Sequence, residues 1–189
     1  MTTPDQKSLF MEKARAASAL VEPVNTLEKA WAYAVELCAR KAGPGKTPVM
    51  AAPALTPDDF AHLKNLCDAG GIRLLKENLR GSLQGIGAGV TYADLGIAET
   101  GSLVINSTGE DLRLASMVSD VHLAILPVSR IRENDQAIAA DLRGYLASPE
   151  NYTTFITGPS RTADIERVLA IGVHGPLELH ILLVEDTKC

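Results

Sequence analysis

Aromatic residues make up only 4% of this 189-residue sequence, and cysteine occurs three times. The cysteines, Cys38, Cys67 and Cys189, are scattered without a Cys-x-x-Cys pair, which disfavours a disulfide framework, a zinc site and an iron–sulfur cluster alike. A reducing, cytoplasmic setting is the matching expectation, with no metal on this chain. Positive charge is also in short supply: 18 Lys and Arg stand against 23 Asp and Glu, a formal net charge of -5, with no basic stripe. A nucleic acid or an anionic membrane surface is therefore not an expected partner. No apolar run approaches transmembrane length. The Leu9-Phe10-Met11 segment is interrupted by Glu12, Lys13 and Arg15, which argues against a secretory leader.

What is present is a chain 46% hydrophobic, enough for one sizeable core, with an alternation of helical and extended patterns. Leu27, Ala30, Trp31, Ala34, Val35 and Cys38 recur at helical spacing, which predicts a helix over 27–41, with Asn25 as cap and Glu28 reaching back to it. Gly43-Pro44-Gly45 breaks it. Pro48 to Ala52 reads as a buried strand, and Thr56-Pro57-Asp58-Asp59 as a helix start, with Thr56 capping and the two acids against the positive end of the helix dipole. Gly70-Gly71 ends that helix and Ile72 to Leu75 forms a strand. A short helix is expected after Thr91, further strands at Leu103 to Ile105, Val121 to Leu126, Tyr152 to Ile156 and Leu177 to Val184, and helices near Asp111 to Val118 and Glu133 to Leu146. The fold class is α/β with a mostly parallel sheet, divided into N-terminal accessory helices (1–45) and an α/β domain (46–189). No internal repeat or low-complexity segment is visible.

Open parallel sheets place ligands beyond the carboxyl ends of their strands, which directs attention to the loops after Ile105, Leu126 and Ile156. The richest polar stretch is Gly158-Pro159-Ser160-Arg161-Thr162-Ala163-Asp164-Ile165-Glu166, followed by Gly172-Val173-His174-Gly175-Pro176. If a helix starts at Thr162, its N-terminus beside Arg161 suits a carboxylate or phosphate. The alternative is that Thr162 and Asp164 only cap that helix while Arg161 pairs with an acid. His174 reads either as a general base or as a turn histidine bonded to backbone. No nucleophile-elbow sequence surrounds Ser160, so a triad with His174 and Asp164 is disfavoured. His62, His122 and His180 sit among core positions and read as structural.

Three of these stretches, Ala98-Glu99-Thr100-Gly101-Ser102, Gly158 to Glu166 and Gly172 to Pro176, agree in content and order with the LUD domain of the lactate-utilization protein C family, which the chain resembles from about Pro48 to Asp186. The resemblance implies a three-layer α/β/α sandwich of the sugar-phosphate isomerase and CoA-transferase-like (NagB/RpiA) type. It also implies L-lactate oxidation to pyruvate together with iron–sulfur partner subunits. Glu99 and His174 are candidate catalytic residues, and Thr100, Gly101, Ser102, Gly158, Ser160, Arg161, Thr162, Asp164 and Gly175 candidate contacts to a small anionic substrate such as lactate. For Glu99, the loop nucleophile of CoA-transferases competes with a simple turn-stabilising acid.

Oxidising a 2-hydroxy acid needs a base, a cation for the carboxylate and an electron acceptor. Gly85-Ile86-Gly87-Ala88-Gly89 fails the dinucleotide fingerprint because Val90 stands where its third glycine belongs. No cofactor is expected on this chain, so electrons would leave through iron–sulfur clusters on partner subunits and the protein would be inactive alone. A non-catalytic assembly subunit and a stand-alone enzyme acting on a sugar phosphate or acyl-CoA are the alternatives.

Overall fold

The computed structural model describes residues 3–82, 85–163, 169–171 and 175–185. In chain order the strands are β1 (Leu20–Val24), β2 (Val49–Ala51), β3 (Arg73–Leu75), β4 (Ala88–Tyr92), β5 (Leu95–Ile97) and β6 (Ser102–Ser107). They continue as β7 (Val121–Pro127), β8 (Ile131–Arg132), β9 (Tyr152–Ile156), β10 (Arg161–Ala163), β11 (Leu169–Ile171) and β12 (Glu178–Val184). The helices are α1 (Thr3–Ala16), α2 (Leu27–Lys41), α3 (Pro57–Ala69), α4 (Glu110–Val118) and α5 (Ala139–Leu146).

Local signals account for the helices that the sequence predicts. The α2 bounds coincide with the 27–41 apolar stripe, which buries Ala30, Trp31, Ala34, Leu37 and Cys38. Its cap is Thr26 rather than Asn25: the Thr26 hydroxyl accepts the Lys29 N–H at 3.3 Å. Thr56 caps α3 as expected, accepting the Asp59 N–H at 3.2 Å, and Gly70 ends that helix. The helix expected from Glu133 begins only at Ala139.

Six strands form an all-parallel sheet in the order β1-β12-β7-β4-β2-β3. Alternate residues of its central strands serve two cores, as the pleat requires. Val121, Leu123 and Ile125 join Trp31, Leu37 and Leu63 under α2 and α3. Ala124 and Leu126 turn the other way, towards Phe10 and Ala14 of α1 and Leu103 and Ile105 of β6. On that second face lie α1, α4 and a four-stranded mixed sheet, β8-β5-β6-β9, whose outer side is closed by Ile138, Leu142 and Tyr145 around α5. The result is a three-layer α/β/α architecture with a small sheet built into one outer layer.

Three expectations are corrected. After Thr91 there is no helix: the chain passes from β4 directly into the β5–β6 hairpin, because Leu95 and Ile97 pair with Val104 and Ser102 and pack with Val104 in a buried cluster. The segment 1–45 contains a strand as well as helices, since β1 pairs with β12 along its whole length. Strands β6 and β9 belong to the antiparallel part of the small sheet, so the carboxyl-end rule does not govern the loops after Ile105 and Ile156.

Candidate functional site

The Ala98 to Ser102 motif is the turn of the β5–β6 hairpin. It is pinned on one side by Ala98 N–H and Glu99 N–H, which donate to the carbonyls of Arg132 and Glu133 at 2.8 and 3.0 Å. Thr100 Oγ1 donates to Ser102 Oγ at 2.8 Å, and Ser102 Oγ lies 2.6 Å from Thr157 Oγ1, tying this turn to the loop after β9. The turn needs a left-handed residue at its end. Gly101 has φ +67°, and a Cβ there would stand 2.2 Å from the Ala14 backbone nitrogen.

The loop after β9 meets the same helix. Gly158 has φ +77°, and a Cβ on it would lie 2.1 Å from the Ala17 carbonyl oxygen. Arg161 Nη2 donates to that carbonyl at 2.8 Å and also to Ser18 Oγ. Gly101, Gly158 and Arg161 thus seat the C-terminal end of α1. Arg161 to Ala163 form β10, paired antiparallel with β11. The expected helix start at Thr162 is therefore absent, because ladder pairing with Leu169–Ile171 claims that backbone.

The second and third motifs meet where Ser160 N–H donates to the Pro176 carbonyl at 3.0 Å, with Gly175 so close that a Cβ on it would be 3.0 Å from Ser160 Cβ. Beside this contact opens a cleft of about 330 Å³ lined by Ser116, Met117, His122, Tyr152, Thr154, Phe155, Ile156, Thr157, Gly158, Pro159, Ser160, Gly175, Pro176 and Leu179. Of the candidate residues, Gly158, Ser160 and Gly175 line it. Thr100 and Ser102 reach it only through the hydrogen bond to Thr157. Glu99 is exposed at the hairpin turn, and the Arg161 side chain, also exposed, points to α1. His174 and Asp164 lie outside the described residues, as does the Thr162 side chain.

Electrostatically the base of this cleft is neutral. His122, 1% exposed, has its Nε2 2.8 Å from Thr91 Oγ1, and burial pushes its imidazole pKa down to about 4. Both residues are on central strands, so the ring is fixed by the sheet. The sequence reading of His122 as a strand residue among aliphatics is correct, yet alternation alone does not reveal that its face of the sheet meets a cleft. His180, also read as structural, bonds Tyr33 Oη through Nδ1 at 2.8 Å and Glu178 through Nε2 at 3.0 Å.

Two larger clefts hold the other loops apart from this one. One of about 610 Å³ lies beyond β2 and β3 and includes Lys76, Asn78, Arg80, Thr108 and Asp111. Several of its charged groups are already engaged: Arg80 pairs with Glu110, and the Asp111 carboxylate accepts the Asn78 and Leu79 N–H groups at 2.9 Å. The other, about 500 Å³, lies beyond β4, β7 and β12 and includes Thr26, Glu28, Tyr92, Pro127 and Glu185. The three polar loops singled out by sequence therefore do not converge. A carboxylate the sequence reading overlooked lies in the β4–β5 connection: half-buried Asp94 accepts the Asn106 N–H at 2.7 Å, and burial, opposed in part by that hydrogen bond and by Arg130, raises its pKa. Its position in the short β4–β5 connection is the signal that could have found it. Gly87 is no phosphate cradle; its N–H donates to the Val49 carbonyl at 2.9 Å as the chain enters β4.

The geometry has counterparts among known proteins. The LUD domain model matches residues 8–184, a span that includes most of α1 and all of β1 and α2. Lactate utilization protein C of Bacillus subtilis (strain 168) is 32% identical over 115 residues, covering 59% of this chain and 47% of that protein. The protein of the same name from Halalkalibacterium halodurans is 37% identical over 101 residues, 52% of this chain and 44% of its own length. The matched segments thus span less than half of these relatives. A crystal structure of a DUF162 family protein from Deinococcus radiodurans superposes with a TM-score of 0.64 at 19% identity, covering 97% of this chain and 99% of the other, which supports the fold. With its hairpin motif, its β9 loop and its cleft all inside the matched span, this chain belongs to the LUD domain family.

Proposed function

We propose that the protein acts in L-lactate utilization as the subunit without iron–sulfur clusters in a system that oxidises L-lactate to pyruvate in the cytoplasm. The observation that carries this reading is the alignment, within the LUD span, with relatives named lactate utilization protein C. Arg161 is the proposed carboxylate contact: its Nη2 is anchored on the α1 terminus, which fixes the orientation of an exposed guanidinium, and a preset planar fork suits a carboxylate. His174 is the proposed base for the hydroxyl proton, with Glu99, exposed on the hairpin turn, as the alternative. Iron–sulfur clusters on partner subunits would accept the electrons. Thr100, Ser102, Ser160 and Gly175 are proposed to hold the two loops in register around the substrate, with Thr162 and Asp164 as further proposed substrate contacts.

The test is lactate-dependent dye reduction by the native complex, isolated anaerobically on this chain, with wild type compared with Arg161→Ala and Arg161→Lys. The expected result is activity only in the assembled complex, lost in the alanine variant and partly kept by lysine. Full activity in an assembled Arg161→Ala complex would remove the carboxylate role. Turnover by the isolated chain would replace the subunit reading with a stand-alone enzyme.

A further inference from the structure

We propose that the cleft between β9 and the C-terminal end of α4 is a binding site for an uncharged, largely apolar ring compound bearing a hydroxyl or carbonyl group. This goes beyond the lactate reading, in which the substrate is an anion held by Arg161, a residue outside the cleft lining. Three independent observations carry it. The cleft, about 330 Å³, is of the size of a small-molecule site, and its walls are made by Met117, Tyr152, Phe155, Ile156, Pro159 and Leu179. Met117, Tyr152 and Phe155 are 53%, 58% and 51% exposed, so large apolar surfaces here face solvent and gain from being covered.

Among the described lining residues none is charged at neutral pH, and the polar groups are the His122 ring next to Thr91 and the hydroxyls of Ser116, Tyr152, Thr154, Thr157 and Ser160. Arg113 is not a lining residue: its guanidinium lies 5.5 Å from the Tyr152 ring centroid, and its Nη1 donates to Ser107 Oγ at 3.5 Å. The His122 imidazole, held neutral by burial, can give or take a hydrogen bond but offers an anion no charge. Moving a carboxylate among these walls would cost desolvation that neutral hydroxyls cannot repay.

The third observation is that the opening is built by residue size. A Cβ at Gly175 would stand 3.0 Å from Ser160 Cβ, and Ser160 N–H donates to the Pro176 carbonyl, so the two loops meet tightly at the cleft lining.

The probe pair 2-naphthol and 2-naphthoate tests this directly, because the two share a ring and differ in charge at neutral pH. Fluorescence titration of the full chain is expected to show saturable binding of 2-naphthol and roughly tenfold or more weaker binding of 2-naphthoate. In a sample with labelled methionine methyl groups, 2-naphthol should shift Met117 and leave Met11 and Met50 in place. Phe155→Asp and Met117→Asp, both at exposed positions, should weaken 2-naphthol binding, whereas Leu146→Asp, 70% exposed on α5, should not. Equal or tighter binding of the naphthoate would overturn the proposal, as would saturable 2-naphthol binding that spares the Met117 methyl, or no 2-naphthol binding. None of these outcomes depends on lactate oxidation, so the two readings fail separately.

Discussion

Arg161 and Ala17, 144 residues apart in sequence, are joined by a 2.8 Å hydrogen bond from the guanidinium to the main-chain carbonyl. The bond crosses from the most chemically suggestive loop of the sequence to the end of its first helix, and it gives that loop a structural duty besides any contact with substrate. Arg161→Ala is expected to destabilise the chain by about 1 kcal/mol, the usual net worth of such an exposed bond. Urea denaturation checks this, and a loss of catalysis far beyond that small change would separate substrate contact from seating of α1.

Gly101 and Gly158 make the sharper case. Each combines positive φ with backbone of the α1 end inside 2.3 Å of where a Cβ would stand. Gly101→Ala and Gly158→Ala are each expected to cost about 2–4 kcal/mol and to raise amide exchange in α1, whose Phe10 and Ala14 are fully buried. Gly45→Ala is the control: its φ is +72° but nothing lies within 4 Å, so the cost should stay near 1 kcal/mol. Equal losses at all three positions would mean that α1 does not dock on these turns.

Buried His122 gives stability a pH dependence. Its folded pKa, about 4, is below the ordinary 6.5, so the unfolded chain binds the extra proton between those values. The contribution is complete above pH 6.5 and is lost as the pH falls towards 4, with a limiting slope of about 1.4 kcal/mol per pH unit. His180, pushed down chiefly by burial, adds in the same direction. Denaturation series from pH 7 to 4 should show a shallower decline for His122→Gln than for wild type; parallel curves would contradict the assignment.

Thr91→Val, which keeps shape while removing the hydroxyl beside His122 Nε2, should cost about 1–3 kcal/mol, the penalty for stranding a buried polar atom. Thermal unfolding measured at neutral pH is the readout. Unchanged stability would show that the ring finds another partner.

Cys38 and Cys67 are buried, and burial pushes their thiols up to about 12 and about 11. Neither is expected to react with a thiol reagent at pH 8 in the native protein, and both should react on unfolding, because the thiolate is the nucleophile. Rapid native labelling of either, located by peptide mapping, would show that the α2–α3 core opens.

Elements whose cause is local were legible from the residues alone. Helix α2 follows from its apolar stripe, and α3 from Thr56, Pro57 and the two aspartates, because capping and amphipathic burial act within a few residues. Short apolar runs announced β7, β9 and β12 for the same reason. The motifs, too, stood out as glycine-rich polar stretches in the sequence, and three of them sufficed to indicate the family.

Partnerships between distant segments were decided only by tertiary structure. Leu95 and Ile97 become a strand because Val104 and Ser102 lie opposite them, and Leu20–Val24 becomes an edge of the main sheet because β12, far away in sequence, offers a parallel ladder. Thr162 is drawn from an expected helix start into β10 by the same competition for backbone hydrogen bonds. The cleft arises likewise, from an alternate-face histidine, an edge strand with two exposed aromatics and a glycine that lets two loops touch. Sequence determined which residues carry chemistry; the pairing of strands, a non-local free-energy contest, determined which of them meet.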